Sequence, residues 1–274
     1  MTVRELLVAG TDELERAGVP SPRVDAEWLL AHALGVSRTQ LYADGDEAPA
    51  EKSRLFRELV ARRARREPLA YVLGEWGFRR LTLQVDPRVL IPRPETEVLV
   101  ERCLELIAGL ESPRVLDIGV GSGAIALAIA DEHPGARVVA TDSSADALAV
   151  AAANAARTCL AVELVQGELL AGLEGPFDLV VSNPPYVAAE DVAELPPEVA
   201  EHEPRAALIE SGETETIAEQ ALARLGPGGA LALEVADGKA EAVAQILRSL
   251  GYEQVAIGED LAGRERIVEG RAPR

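Results

Sequence analysis

The residues with the clearest chemical content are Asn183, Pro184, Pro185 and Tyr186, which follow the apolar run Phe177–Ser182. A planar NH2 group is a weak nucleophile because its lone pair is delocalised, so both of its hydrogens must be engaged. The Asn183 side-chain oxygen and the Pro184 carbonyl can accept them, because the proline ring fixes φ and removes a competing donor. Tyr186 can stack on the flat group. The motif predicts catalysis by Asn183, Pro184 and Tyr186, and substrate contact by all four residues. The alternative is an ordinary proline-rich turn.

A glycine-rich loop is the second candidate for chemistry, and it lies between a strand pattern and a helical pattern. Its residues are Gly119, Val120, Gly121, Ser122 and Gly123. Glycines at such a junction let the backbone turn sharply and let a ligand approach where a Cβ would collide. The next strand pattern leads to Asp142, whose carboxylate can accept hydrogen bonds from ribose hydroxyls. The spacing predicts a site for a cofactor that contains adenosine; the alternative is a structural turn without a ligand.

The choice of cofactor depends on Asp117, which lies just before the loop. The pattern Gly119-x-Gly121-x-x-Ala124 also fits the dinucleotide fingerprint, so an NAD-dependent oxidoreductase is a competing interpretation. NAD fingerprints usually carry an apolar residue at the position of Asp117. A carboxylate there can orient the loop or favour a cationic ligand, such as a sulfonium or its amino group. Asp117 therefore favours S-adenosylmethionine.

The elements that must position these residues follow from hydrophobic periodicity. Residues 1–74 have helical spacing and predict a small helical bundle, interrupted by an acidic loop at 43–49. Residues 75–91 predict a hairpin linker, and residues 92–274 alternate between strand and helix patterns. The expected strands are Arg114–Ile118, Arg137–Thr141, Val162–Gln166, Phe177–Ser182, Ala230–Val235, Gln254–Ile257 and Arg266–Glu269. This alternation predicts a doubly wound α/β domain. If its strand is the fourth, Asn183 lies beside the glycine loop, faces the reactive end of the cofactor and is expected to contact the cofactor as well as the substrate.

Charge is distributed unevenly along the chain. The net charge is −19, with 14 basic and 14 acidic residues in the first 90 positions, but 13 basic and 32 acidic residues after them. A strongly acidic domain is repelled by phosphate backbones, which disfavours nucleic acid as a partner. Residues 52–80 carry nine basic and three acidic residues, and form either a solvated helix face or a docking surface for an acidic protein. If these residues form a docking surface, reversing the charge of Arg62, Arg63 and Arg66 should weaken the reaction with that protein partner. It should not change the affinity for the cofactor.

Composition argues against several other classes of protein. No run of 18 or more uncharged apolar residues occurs and the N-terminus is charged, so we expect a cytoplasmic protein without membrane contact. The three histidines are scattered without metal-ligand spacing, and the two cysteines, Cys103 and Cys159, are expected to be buried free thiols. We therefore expect no metal site, and we expect a monomer.

Together, these motifs resemble the HemK/PrmC family of release-factor glutamine methyltransferases over nearly the whole chain. The similarity lies in the glycine loop and in residues 67–74, 90–97, 183–186 and 260–266. Asn-Pro-Pro-Tyr alone is shared with other amino-group methyltransferases, whereas Ile-Pro-Arg-Pro-Glu-Thr-Glu together with it is more specific. The resemblance implies a Rossmann-like class I S-adenosylmethionine-dependent methyltransferase core with a seven-stranded mixed sheet. It also implies methylation of the glutamine in the Gly-Gly-Gln motif of class-1 release factors.

The resemblance implies roles for residues that the pattern alone does not single out. Residues 92–97 line the active site in the family, near the cofactor and the target glutamine. The resemblance therefore implies that Arg93, together with Leu90 just before this segment, contacts the substrate and that Thr96 contacts the cofactor. Without the resemblance, Arg93 and Glu97 would be interpreted as a surface ion pair at the start of a helix.

The chain departs from the family after the third predicted strand, where an acidic residue and then an aromatic residue often contact adenine. Glu168 and Leu169 stand there in this sequence. Glu168 can still accept a hydrogen bond from the adenine amino group, whereas Leu169 offers packing without stacking.

Three other hypotheses compete with this interpretation. An adenine-directed DNA or RNA methyltransferase would use the same Asn-Pro-Pro-Tyr chemistry, but it would need a recognition domain rich in aromatic and basic residues. An NAD-dependent oxidoreductase would need a partner for hydride transfer. A non-catalytic binding module would be expected to have a broken motif at Asn183, and the motif is intact.

Overall fold

The computed structural model describes residues 1–42 and 47–274. Residues 43–46 of the predicted acidic loop lie outside the described residues. The helices are α1 (Val3–Arg16), α2 (Pro22–Leu34), α3 (Ala50–Ala64), α4 (Leu69–Leu73), α5 (Pro94–Ile107), α6 (Ala124–Glu132), α7 (Ala145–Thr158), α8 (Pro197–Ala200), α9 (Glu213–Leu222) and α10 (Ala240–Leu250). The strands are β1 (Glu75–Phe78), β2 (Leu81–Gln84), β3 (Arg114–Ile118), β4 (Arg137–Asp142), β5 (Val162–Gln166), β6 (Phe177–Ser182), β7 (Leu225–Glu234), β8 (Glu253–Glu259) and β9 (Glu265–Arg271).

The chain divides into two compact units. The first contains residues 1–75 and 195–202, and the second contains residues 76–194 and 203–274. Nothing in the sequence pattern indicated that residues 195–202, which include α8, would group with the N-terminal helices. The reason lies in the ion pairs that Glu198 makes inside the first unit, described below.

The first unit is a helical bundle with its own apolar core. Helix α1 begins where Thr2 and Glu5 form a reciprocal capping box, each side chain accepting a hydrogen bond from the backbone N–H of the other. Helices α1 and α3 pack closely because Gly10 faces Phe56: a Cβ on Gly10 would lie 2.5 Å from the Phe56 ring. Phe56 and Leu29 are almost fully buried, and burial of such side chains contributes about 1.5–3 kcal/mol each.

The arginines considered above as a docking surface form ion pairs inside the first unit. Arg63 is only 5% exposed, and its guanidinium lies 2.7 Å from the carboxylate of Asp25 and 2.9 Å from that of Glu198. Arg66 donates two hydrogen bonds to Glu198, at 2.8 and 2.7 Å. Arg63 and Arg66 therefore link α2, which carries Asp25, and α8, which carries Glu198, within the first unit.

Arg62 is engaged in the same way. It pairs with Glu67 and also donates to the backbone carbonyls of Tyr71 and Val72. Internal ion pairs therefore engage Arg62, Arg63 and Arg66, and their role in docking stays a prediction.

The second unit is built on a seven-stranded mixed sheet in the order β5-β4-β3-β6-β7-β9-β8. The first five strands of that order are parallel to their neighbours, and β9 is antiparallel to both β7 and β8. The predicted fold class is confirmed. Strand β6 lies directly beside β3, so Asn183 follows a strand that neighbours the glycine-loop strand, as expected.

The two faces of the sheet carry separate apolar cores. Along β3, Val115 belongs to one core and Leu116 to the other, and along β6 Leu179 and Val180 divide in the same way. Successive side chains of a strand point to opposite faces, so a strand covered on both sides is apolar throughout. This explains why β3 and β6 appear in the sequence as short continuous apolar runs.

Strand β7 begins at Leu225 rather than at Ala230, where the sequence predicted it to start. Leu225 pairs with Phe177 and Ala230 pairs with Leu179, so the glycine-rich residues between them form a bulge within the ladder. Glycine and proline are uncommon inside strands, which is why the sequence pattern placed the start of β7 after them.

Three expectations from composition, on the cysteines, a metal site and a membrane span, can be set beside the structure. Cys103 is buried, but Cys159 is exposed at the end of α7, so the expectation of two buried thiols is wrong for Cys159. Over the described ranges, no cluster of three or more potential His, Cys, Asp or Glu ligands is arranged to hold a metal ion. None of the described helices has the length and apolarity needed to span a bilayer.

The internal role of Arg63 predicts a loss of stability when it is removed. Arg63→Ala leaves Asp25 buried without its partner and leaves Glu198 paired with Arg66 alone, which should destabilise the first unit by about 3–5 kcal/mol. The measurement is thermal unfolding of the full chain, followed by circular dichroism. Arg54→Ala is the control, because Arg54 makes only an exposed pair with Glu58 and its loss should cost less than about 1 kcal/mol. Equal melting curves for the two variants would contradict the assignment.

Candidate active site

The glycine loop is held in place by the end of the neighbouring strand β4. The backbone N–H groups of Gly119 and Val120 both donate to the Thr141 carbonyl, at 2.8 and 2.9 Å. Gly119 has φ +77°, a left-handed conformation that favours glycine. A Cβ built on Gly119 would meet nothing within 4 Å, so space lies open in front of the loop. The loop therefore presents accessible backbone at the end of β3, as a ligand-binding loop requires.

Asp142 ties the same loop to β4. One carboxylate oxygen accepts from the Gly121 N–H at 3.0 Å, and the other accepts from the Ser144 N–H at 2.9 Å. Each oxygen keeps a lone pair for a further donor, such as a ribose hydroxyl. The structure places Asp142 where the sequence predicted it, and its contact with a cofactor stays a prediction.

Asp117 supports the loop from inside the protein. Its side chain is 1% exposed, and one oxygen accepts from the Ala126 N–H in the first turn of α6 at 3.1 Å. The other oxygen has no hydrogen-bond partner among the described residues. Burial raises the pKa of Asp117 to about 7. Of the two roles considered for Asp117, the geometry provides the first, because the carboxyl caps the helix that follows the loop.

Asn154 is a supporting residue that the sequence analysis missed. Its amide nitrogen donates to the carbonyls of Ser122 and Gln84, at 2.8 and 3.0 Å, and its oxygen accepts from the Gln84 N–H at 2.7 Å. The side chain is fully buried in α7 and joins the glycine loop to β2. A buried asparagine in an alanine-rich helix was the available signal, because such an amide must find partners.

The Asn-Pro-Pro-Tyr motif begins immediately after β6. Ser182 donates to the Ile118 carbonyl at 2.8 Å, which fixes the end of β6 against the end of β3. The Asn183 amide nitrogen donates to the Thr96 hydroxyl at 3.2 Å. Pro184 is buried, Pro185 and Tyr186 are half-buried, and no described donor uses the Pro184 carbonyl. The motif is therefore held rigidly at the edge that carries the glycine loop.

Glu234 is a second residue that the sequence analysis missed. It ends β7, is 1% exposed, and accepts a hydrogen bond from the Thr96 hydroxyl at 2.7 Å. Burial raises the pKa of Glu234 to about 6, although Thr96, Arg266 and Asn183 act to lower it. Burial, together with the charge of Glu234, raises the pKa of Tyr186 to about 12. A carboxylate directly at the end of an apolar strand was the sequence signal.

The residues assigned through the family resemblance occupy more varied places. Arg93 pairs with Glu203, and the Ile91 N–H also donates to Glu203, at 3.2 Å. The alternative pairing with Glu97 is wrong, because the Glu97 carboxylate accepts from the Arg79 backbone. Leu90 lies beside this cluster in the chain and is half-buried.

Three further residues were predicted to contact the cofactor, and they differ in exposure and in their hydrogen bonds. Glu168 is exposed after β5, and Leu169 has φ +50° while its carbonyl accepts from the Thr141 hydroxyl at 3.0 Å. The Thr96 hydroxyl hydrogen is committed to Glu234, so a cofactor could use only its methyl group or a remaining lone pair.

Known proteins resemble this chain over nearly its whole length. The profile of the PrmC N-terminal domain matches residues 5–74, and that of the methyltransferase small domain matches residues 94–258. The chain is 47% identical to the release factor glutamine methyltransferase of Deinococcus radiodurans over 99% of each chain. It belongs to the release factor glutamine methyltransferase family. The predicted resemblance is thereby confirmed.

A second member of the family and one more distant solved structure are also similar to this chain. The release factor glutamine methyltransferase of Rhodopirellula baltica is 43% identical, over 97% of this chain and 95% of its own. A methyltransferase from Pyrococcus furiosus is similar in structure, with a TM-score of 0.53 at 21% identity, over 70% of this chain and 89% of its own. The second similarity concerns the fold alone.

The buried carboxyl of Asp117 predicts a pH-dependent stability. The pKa of Asp117 is raised to about 7 in the folded state. The contribution of Asp117 to the free energy of unfolding is therefore greatest below the ordinary aspartate pKa and falls as pH rises towards 7. Asp117→Asn keeps the hydrogen bond from Ala126 and removes the titration. The difference in unfolding free energy between pH 5 and pH 8, measured with urea, should shrink by roughly 2–3 kcal/mol.

The exposed Asp191→Asn is the matched control and should keep the wild-type difference. An unchanged difference in Asp117→Asn would show that Asp117 is ionised in the folded protein throughout this range.

Proposed function

We propose that this protein transfers a methyl group from S-adenosyl-L-methionine to the side-chain amide nitrogen of the glutamine in the Gly-Gly-Gln motif of class-1 peptide chain release factors. The observation that carries the proposal is the Asn183 amide, which is fixed at the end of β6 beside the glycine-loop strand. Membership of the release factor glutamine methyltransferase family, over the full length of the chain, supports the substrate.

The residues around the glycine loop fit S-adenosylmethionine. Gly119, with its open space, lets the cofactor approach the backbone, and Asp142 can accept from the ribose hydroxyls. Glu168 and Leu169 would lie along the adenine. When bound, the sulfonium supplies an electrophilic methyl group. The carboxylates of Asp142 and Glu234, at the strand ends, favour a cationic ligand, which a dinucleotide with its phosphates is not.

The residues of the motif prepare the nitrogen for that methyl group. The Asn183 oxygen and the Pro184 carbonyl accept the two N–H groups of the glutamine amide, so its lone pair points away from both. Tyr186, with a pKa of about 12, stays a neutral phenol and can stack on the amide. On transfer, the sulfur–methyl bond would break as the nitrogen–methyl bond forms, and the neutral thioether S-adenosylhomocysteine would leave. The amide nitrogen would then carry a positive charge, so that one of its hydrogens becomes acidic and passes to water. Positioning at about 3–3.5 Å supplies most of the acceleration, so no strong base is required.

We also propose a division of labour along the chain. Residues 1–74, which group with residues 195–202, form the domain that docks the release factor. The rest of residues 92–274 forms the methyltransferase domain, and the hairpin at 75–91, predicted as a linker, groups with it from residue 76 onward. Trp28 and Tyr42 support docking, because these large aromatic side chains are 41% and 62% exposed in a chain poor in aromatics, and aromatic residues are enriched at protein interfaces. We expect the protein to act as a monomer in the cytoplasm.

Transfer of labelled methyl groups tests the proposed reaction. Purified protein, labelled S-adenosylmethionine and a class-1 release factor are mixed, and label should enter the intact factor but not a factor whose Gly-Gly-Gln glutamine is changed. Asn183→Ala should lower the rate by about 100-fold or more, because a positioning contact is lost. A short Gly-Gly-Gln peptide should show a higher KM than the whole factor if residues 1–74 dock the substrate.

Duplex DNA and RNA are the control substrates in the same assay. Label in nucleic acid, without label in the release factor, would replace the proposal with adenine methylation. Equal labelling of the intact and changed factors would place the modification on another residue.

A further inference from the structure

Three side chains from separate elements form a continuous hydrogen-bonded chain at the end of the sheet. The Asn183 nitrogen, after β6, donates to the Thr96 oxygen in the first turn of α5, at 3.2 Å. The Thr96 hydroxyl donates in turn to Glu234 at the end of β7, at 2.7 Å. Thr96 is 4% exposed and Glu234 is 1% exposed, so water does not compete for these bonds.

The direction of this chain is fixed by its last member. An ionised carboxylate only accepts hydrogen bonds, so the single hydroxyl hydrogen of Thr96 must point to Glu234. Thr96 then offers Asn183 only a lone pair, so the Asn183 side chain must point its NH2 group towards Thr96. An amide carries its donors and its acceptor on opposite sides, so the Asn183 oxygen faces away from Thr96. A flipped amide would present donors to a substrate NH2 group, which also donates.

We propose, building on the proposed function, that Thr96 and Glu234 are positioning residues that hold the Asn183 amide with its oxygen towards the substrate nitrogen. Neither residue needs to touch the substrate for this role. Thr96 therefore acts on the site through Asn183, in addition to any contact with the cofactor. Glu234 gains a role as the group that gives the hydrogen-bonded chain its direction.

The groups around Glu234 determine when that direction can be lost. Arg266 of β9 favours the ionised carboxylate, whereas Glu95 of α5 disfavours it, and Tyr186 lies within reach of its charge. Burial outweighs the favourable contacts and raises the pKa of Glu234 to about 6. Once protonated, Glu234 can donate to Thr96, whose hydroxyl is then free to donate to the oxygen of a flipped Asn183. Activity should therefore fall as pH drops through about 6.

Steady-state kinetics of three variants test the proposal across a pH series. Thr96→Val removes the hydroxyl and should lower kcat by about 10- to 100-fold, as expected for a misplaced contact. Thr96→Ser restores the hydroxyl and should recover most of the rate. Glu234→Gln permits either direction, so its rate should be reduced and should no longer fall below pH 6. Melting temperatures at pH 8 show whether each variant is folded.

A second measurement is independent of the reaction. The side-chain amide resonance of Asn183 in nitrogen-15-labelled protein, assigned by its loss in Asn183→Asp, should titrate with a midpoint near 6 in the wild type. The titration should vanish in Glu234→Gln.

The two measurements separate this inference from the proposed function. If the wild-type protein methylates no release factor, the proposed function fails, and the resonance still decides whether Glu234 controls Asn183. If methylation occurs but Thr96→Val and Glu234→Gln keep the wild-type kcat and the wild-type fall below pH 6, the positioning role is overturned. An Asn183 resonance that does not respond between pH 5 and pH 8 overturns it as well.

Discussion

The register of four parallel strands is the constraint on which the rest of the site depends. Ile118 of β3 is aligned with Thr141 of β4 and with Ser182 of β6, and Ser182 is aligned with Leu233 of β7. The next residue on each strand therefore reaches the same edge, and these residues are Gly119, Asp142, Asn183 and Glu234. A slip of one residue would turn any of these strands to the wrong face, and the two apolar cores prevent it.

Buried carboxyl groups at the strand ends of the site differ from buried carboxyl groups elsewhere in the chain. Asp25 of the first unit pairs with Arg63, and Glu203 of the second unit pairs with Arg93. Asp117 and Glu234 accept no hydrogen bond from an arginine among the described residues, and burial raises the pKa of both. Paired charges hold the helical bundle together, whereas the poorly compensated carboxyls lie at the strand ends that form the site. Buried carboxyls whose pKa values are shifted in this way are typical of functional sites.

Periodicity and motif spacing predicted the seven strands, the fold class and the positions of Asn183 and Asp142, because these depend on local pattern and on simple rules for parallel sheets. The link from Asn183 through Thr96 to Glu234 was beyond sequence reasoning, since it joins residues far apart in the chain through the strand order. The ion pairs of Arg63 and Arg66 were missed for a similar reason. Their partner Glu198 lies in a segment whose grouping with the first unit no pattern revealed.

The central claim is that the Asn183 oxygen receives the glutamine nitrogen at the edge of the sheet where the glycine loop lies. A crystal structure of the protein with S-adenosylhomocysteine and a Gly-Gly-Gln peptide tests it most directly. The account predicts the glutamine nitrogen within hydrogen-bonding distance of the Asn183 oxygen and the Pro184 carbonyl, with the cofactor sulfur on its open side. A glutamine bound elsewhere, or an Asn183 amide whose nitrogen faces the glutamine while its oxygen faces Thr96, would contradict it.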